Sequence, residues 1–414
     1  MKIGLLPLSS GSDKRDLELK FISDIKNFLK DKNIESFEYS DEENFDFVFF
    51  LVVTGGSEKK FLKIKDNIKP PYIFIANKYN NSLPATIEIN AYLEGKGRVF
   101  LWDKKSEKKD LIRTLNVLKI KDEFKEKRFG LIGSPSHWLI SSTPDFKVVK
   151  EKFGIKVESY PVEKFIEKVN EISENDKKIE KIIEEIKKKA TKLLNIDDND
   201  IKRALRVYVA MDRLIKENEW DLISMECFKI IEPLDTTGCL ALSLLTSEGL
   251  ISGCEGDIPS TITMYLMKKI SGKSPFMGNI AWIDREGEKT LDLILAHCTV
   301  PLSIVNNYLL TTHFETGKGV GIKGFFNKEI GTLVRIGGKN LDKIYFSRCK
   351  IVDNLKDDNM CRTQILLKTN KDSEYFLKRP LGNHHIFVQG DYQDELKLIS
   401  EIFNLEPLSS SKMF

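Results

Sequence analysis

The chain has 414 residues, 41% of them hydrophobic and 31% charged, and its 65 basic residues nearly cancel 62 acidic ones to leave a net charge of +3. That length supports two or three domains with full cores. The near-neutral balance carries no electrostatic footprint for nucleic acid, and no apolar run approaches the ~18 residues of a membrane span. The N-terminal MKIGLLPLSSG is too short an apolar run for a secretory signal, so a cytoplasmic protein is expected. The abundance of Lys, Glu and Ile is the composition of a thermophile or of an AT-rich genome. Six cysteines, at 227, 239, 254, 298, 349 and 361, show no C-x-x-C spacing, which argues for buried thiols rather than a zinc ribbon.

Lys2–Leu8 reads as a short apolar strand, and Asp16–Leu29 as an amphipathic helix. Phe45–Val53 is a nearly continuous apolar run, the mark of a strand buried on both faces. Tyr72–Ala76 and Arg98–Trp102 repeat that signal. Strands alternating with helices predict a parallel, doubly wound α/β domain over residues 1–125. Gly55-Gly56 lacks both the G-x-G-x-x-G and the P-loop lysine patterns, so no nucleotide site is expected there.

The charged stretch Lys119–Arg128 reads as a linker or helix end, after which Phe129–Ile132 and Gly133-Ser134-Pro135-Ser136-His137-Trp138 restart the strand–turn pattern. A second α/β domain over 126–284 follows from it. Residues 163–193 read as one long helical region with Ile179, Ile182, Ile183 and Ile186 inward and a solvated charged face. Arg203–Asn218 is a further helix, and Asp221–Cys227 a short strand delivering Glu226 at its end. A second strand, Leu250–Ser252, leads into Cys254-Glu255-Gly256-Asp257, with Pro259 and Ser260 opening a helix. In a parallel sheet both sets of acids reach the same edge, where α/β folds keep their binding crevice. Carboxylates converging from two strand ends offer hard oxygen ligands to Mg²⁺ or Mn²⁺.

After Trp282 helical periodicity disappears. Leu291–Leu295 runs into His297-Cys298-Thr299, and short glycine-punctuated strands follow at 320–326, 331–336, 343–349, 362–368 and 384–388 before a closing helix over Gln393–Phe403. An antiparallel, barrel-like β domain over 285–414 is expected. The fold class is therefore α/β: two doubly wound domains, then an antiparallel β domain.

Five segments, Cys254–Met264, Leu295–Pro301, His313–Val320, Cys361–Gln364 and Gly382–Asp391, resemble the L-fucose isomerase-like proteins, relatives of L-fucose and L-arabinose isomerases. The resemblance is specific from about residue 220 onward and rests on domain order before that. It implies an aldose–ketose isomerase working through an enediol on a small sugar, with a divalent metal, Mn²⁺ foremost, held by two acids and a late histidine. On that resemblance Glu255 or Asp257 is the second acid and catalytic carboxylate. Glu226 is the first, with Asp235 competing. His384 is the late metal ligand, with His385 as the near alternative and a substrate contact. His297, Lys318, Arg362 and Gln364 would touch substrate. A homo-oligomer, trimer or hexamer, is implied as well, with the first domain or the His137 loop completing a neighbour's pocket.

Two departures from the named enzymes stand out. The chain is shorter than a fucose isomerase, and the loop Ile270–Pro275 lacks the histidine that arabinose isomerases carry. A non-catalytic sugar-binding or regulatory protein on the same scaffold is the alternative expectation. Aldol cleavage or epimerisation over the same enediolate-stabilising site is a third.

Overall fold

The apolar run at Phe45–Val53 is the middle of a five-stranded parallel sheet. Its strands are β1 (Lys2–Leu8), β2 (Glu35–Glu38), β3 (Phe47–Val52), β4 (Tyr72–Ala76) and β5 (Gly97–Leu101), in the order β2-β1-β3-β4-β5. Every residue of β3 is buried, because helices cover both faces of a doubly wound sheet. Phe50, Phe61 and Phe74 pack within 5.6 Å of one another as its aromatic centre. This sheet belongs to the first of two compact units, Met1–Asp122 and Glu123–Phe414. The structure is a computed structural model that describes residues 1–11, 14–174, 176–284, 290–370 and 373–408.

The second unit opens with a parallel sheet of β6 (Arg128–Ile132), β7 (Lys156–Tyr160), β9 (Leu222–Met225) and β10 (Ile251–Cys254), ordered β10-β9-β6-β7. The two-residue β8 (Lys192–Leu193) lies outside it. The long Lys/Glu/Ile region is two helices, Val162–Asn170 and Lys177–Lys189. Asp176 ends the continuity: its carboxylate accepts from the Lys178 backbone N–H at 2.8 Å and starts the second helix as its cap. Ile179, Ile183 and Ile186 are buried, in keeping with the amphipathic spacing.

The remaining strands are β11 (Phe276–Asp284), β12 (Thr290–His297), β13 (Asn307–Thr311), β14 (Gly321–Phe325), β15 (Ile330–Gly337), β16 (Lys343–Asn354), β17 (Thr363–Asn370), β18 (His384–Gln389) and β19 (Glu406–Pro407). Six of them form an antiparallel barrel, β15-β18-β11-β12-β17-β16, closed by the pairing of β16 with β15. β19 adds beside β16, and β14-β13-β8 make a separate three-stranded sheet. The fold is therefore parallel-sheet α/β followed by a closed antiparallel barrel. The antiparallel pattern starts at Phe276 with β11, within the stretch read from sequence as the second domain, and parallel sheet and barrel share one compact unit.

Candidate active site

Parallel strands β6, β9 and β10 end at one edge, and each delivers a functional loop there. Met225 pairs with Cys254 across β9 and β10, so Glu226 and Glu255 leave the sheet side by side. Their carboxylates then diverge. Glu226 Oε2 accepts from the backbone N–H of Ser134 at 2.9 Å and from its hydroxyl at 3.0 Å, and Oε1 lies 3.4 Å from Lys229 Nζ. Glu226 thus holds the loop after β6. Gly133 permits this, since a Cβ there would stand 2.7 Å from Glu226 Oε2.

Glu255 sits in the left-handed region at φ 60°, an uncommon backbone state for a side chain other than glycine. The Ser136 N–H donates to its carbonyl at 2.9 Å and the Trp138 Nε1–H to its Oε2 at 2.6 Å. Gly256 follows at φ 69°, where a Cβ would meet the Ser134 carbonyl at 2.6 Å. The loop that Glu226 anchors therefore clamps Glu255 in turn, and leaves Oε1 aimed at His384 Nε2, 3.6 Å away.

Asp257 does a different job. It caps the helix Ile258–Ser271, with Oδ1 accepting from the Ser260 N–H at 2.8 Å. Its Oδ2 accepts from Arg335 Nη1 at 3.1 Å and from His384 Nδ1–H at 2.9 Å. Arg335, fully buried on β15, also donates to the Ser260 hydroxyl, to the His384 carbonyl at 3.0 Å and to the Ser142 hydroxyl at 2.7 Å. Burial would raise the Asp257 carboxyl, but Arg335 and His384 hold it well below its usual range.

His384 opens β18 and is fully buried, and its Nε2 has no hydrogen-bond partner. Burial disfavours its charged form, yet Asp257 and Glu255 outweigh that and raise it to about 9. His297 ends β12 with its ring 5.5 Å from that of His384. Its Nδ1 meets Thr299 Oγ1 at 2.9 Å, and burial and then His384 lower it to about 3, so the ring stays neutral. Burial also lifts Glu255, but His384, with His297 and Trp138 assisting, brings it down to about 2. One donor atom each from Glu255, His297 and His384 lie within 4.8 Å of one another.

A cavity beside these groups is lined by Glu255, His297, His313, Glu315, Phe228 and Asn279, together with five of the cysteines. Burial, then Arg362, lowers His313 to about 4. Burial and the Glu255 charge raise Glu315. Glu315 and His313 stand in a segment that carries the resemblance, H-F-E-T-G, yet nothing in the sequence pointed Glu315 at Glu255, because the two come from distant parts of the chain.

The other expected residues lie elsewhere. His385, next along β18, faces the opposite way and bonds the Tyr375 hydroxyl at 2.9 Å among Tyr345, Tyr375 and Phe376. Lys318 pairs with Glu232 at 3.1 Å and Asp235 at 3.5 Å, and Asp235 also lies 3.7 Å from Arg203. Arg362 donates to the Thr312 carbonyl at 2.9 Å and flanks the His313 loop. Gln364 is spent on its own hairpin, donating to the Asp357 and Cys361 carbonyls and accepting from the Asp357 N–H. His137 is exposed beside Trp138.

Residues 141–273 match the L-arabinose isomerase central domain. The chain is 21% identical over 323 residues to a sulfoquinovose isomerase of Priestia aryabhattai, covering 73% of this chain and 69% of that protein. It is 24% identical over 312 residues to one of Alkalicoccus urumqiensis, covering 71% and 67%. A third, from Clostridium sp. (strain MSTE9), is 24% identical over 275 residues, covering 61% and 58%. Matched segment, fold and relatives together place the chain in the L-fucose/L-arabinose isomerase-like superfamily.

Proposed function

We propose that this chain is an aldose–ketose sugar isomerase that uses one divalent ion, Mn²⁺ foremost, held by Glu255, His297 and His384. The observation that carries this reading is His384: Asp257 occupies Nδ1, while Nε2 is buried without a hydrogen-bond partner, 3.6 Å from Glu255 Oε1. A carboxylate behind an imidazole fixes the tautomer and aims the other nitrogen as a ligand. A neutral His297 and an ionised Glu255 complete a mixed N/O donor set. When bound, the ion polarises the sugar carbonyl and stabilises negative charge on the enediol.

The chain's own residues do the rest. Trp138 fixes one oxygen of Glu255, and Asp257 with Arg335 fixes His384. Glu315 stands at the cavity with a carboxyl lifted above its ordinary value, the state suited to carrying a proton between C1 and C2 of the open-chain sugar. His313 lies in the same wall, kept neutral by burial. Phe228 packs on Trp138 at 4.9 Å and on His313 at 5.6 Å and closes the apolar side.

Sulfoquinovose is the first substrate to test, because the relatives act on it. Purified protein is stripped of metal, reloaded with Mn²⁺ and assayed on sulfoquinovose and a panel of aldoses, beside Glu255→Gln. Interconversion that needs the ion and is lost in the variant supports the reading. A protein that neither binds Mn²⁺ nor converts any of these sugars overturns it in favour of a non-catalytic sugar-binding role, and a Gln variant of full activity overturns the place given to Glu255.

A further inference from the structure

Five cysteines line the cavity, and four of them pair: Cys298 hydrogen-bonds Cys361, and Cys227 Sγ and Cys254 Sγ, the pair beside Glu255, are 2.8 Å apart. Cys254 is the last residue of β10, and Cys227 opens the turn after β9, so parallel pairing brings them together. Both are buried yet reach the cavity wall. The Glu255 backbone N–H donates to Cys227 Sγ at 3.4 Å, which ties this sulfur to the backbone of the site. Among the described residues the only cluster of three His, Cys, Asp or Glu ligand atoms is the one at Glu255, His297 and His384. The sulfurs are thus pairs rather than a metal cage. Reaching the covalent length of about 2.0 Å needs a shift of under about 1 Å.

We propose that Cys227 and Cys254 form an oxidative modification site, a thiol pair that a hydroperoxide closes into a disulfide directly beneath Glu255. The Cys227 sulfur attacks one peroxide oxygen and gives up its proton. The O–O bond breaks, leaving a sulfenic acid and hydroxide, which takes a proton to become water. The Cys254 sulfur then attacks the sulfenic sulfur, its proton leaving with the hydroxyl as a second water. Two thiols lose two electrons to one peroxide, and the products are one disulfide and two waters.

Closure moves the sulfur that accepts the Glu255 N–H and draws on both neighbours in sequence, Glu255 on one side and Phe228 on the other. Glu255 already holds a constrained backbone state, so the bond displaces its carboxylate from His384 and His297. The effect on the ion rests on the isomerase reading; the linkage itself does not.

The experiment treats reduced wild-type protein with hydrogen peroxide, blocks remaining thiols by alkylation, and maps peptides by mass. The expected first product is a peptide linking Cys227 to Cys254, two hydrogens lighter and restored by dithiothreitol. In Cys254→Ser that product is missing, and Cys227 accumulates as sulfenic acid. Mn²⁺ binding, measured by calorimetry, is expected to weaken about tenfold or more in the oxidised form. A first product that links Cys298 to Cys361, or over-oxidation with no Cys227–Cys254 link, overturns the proposal. So does equal Mn²⁺ affinity in both forms. If neither form binds Mn²⁺, the isomerase reading fails, while the peptide map still decides the thiol pair.

Discussion

Asp257 Oδ2 takes the Nδ1–H of His384 at 2.9 Å while its other oxygen caps the helix behind it. The two acids of the C-E-G-D segment are thereby divided: Glu255 faces the cavity, and Asp257 faces Arg335 and the imidazole. Asp257→Asn strands the fully buried Arg335 charge, and a broken buried pair costs about 3–5 kcal/mol. Glu255→Gln keeps the Trp138 bond and is expected to shift stability by about 1 kcal/mol or less, while Mn²⁺ binding is lost. Denaturant unfolding and calorimetry on the two variants separate the roles.

Glu315→Gln is expected to leave Mn²⁺ affinity within a few-fold of wild type and to cut kcat by about 10²–10⁴-fold. Glu226→Gln should not behave this way, because that carboxylate serves the Ser134 loop. Steady-state kinetics beside metal titration distinguishes a proton carrier from a loop anchor.

The two adjacent histidines give opposite expectations. His384→Gln abolishes metal binding. His385→Phe keeps it, but removes the ring nitrogen that meets the buried Tyr375 hydroxyl, which keeps the Leu381 N–H at 3.4 Å, at a cost of about 1–3 kcal/mol. Thermal unfolding and metal content of the two variants check this, and loss of the ion in His385→Phe alone would reverse the assignment.

Away from the site, Glu158 accepts from Arg128 Nη2 at 2.9 Å and from Trp220 Nε1 at 3.0 Å, with Lys156 Nζ 2.8 Å away. Arg128 first, then Lys156, outweigh burial and bring its carboxyl from the ordinary 4.5 down to about 2. A lowered folded-state value means that this stabilisation is fully present above the ordinary value and is lost as pH falls toward 2. Glu158→Gln should therefore flatten the stability curve in that interval and lower its neutral plateau by about 1–3 kcal/mol. Denaturant midpoints taken across acid pH test it.

Much of this arrangement is readable from sequence because it is local. Apolar runs such as Phe47–Val52 announce buried strands, and the acid–Gly–acid turn after β10 announces a binding edge. What lay beyond reach depends on partners far along the chain. Nothing near Glu226 shows that Ser134 will claim its carboxylate, and nothing near His297 shows that β12 will end beside His384. β11 was obscured because its later residues face outward, Trp282 being 64% exposed, so no alternating pattern marks it. The break at Asp176 falls where Ser173, Asn175 and Asp176 interrupt the Lys/Glu/Ile composition, a short cap signal outweighed by the long charged runs on either side.

Arg335 reaches from the barrel to Asp257, Ser260 and Ser142 at once, and Gly382, where a Cβ would stand 2.6 Å from its Nη2, makes room for it. The matched central segment, 141–273, accordingly holds only part of what it needs: the arginine that neutralises Asp257 and the two imidazoles come from residues 297–384. Grafting that segment onto a foreign barrel would transplant an acid without its counterion. Hybrid enzymes built on this scaffold will need their crossover points outside the whole stretch from Ser134 to His384.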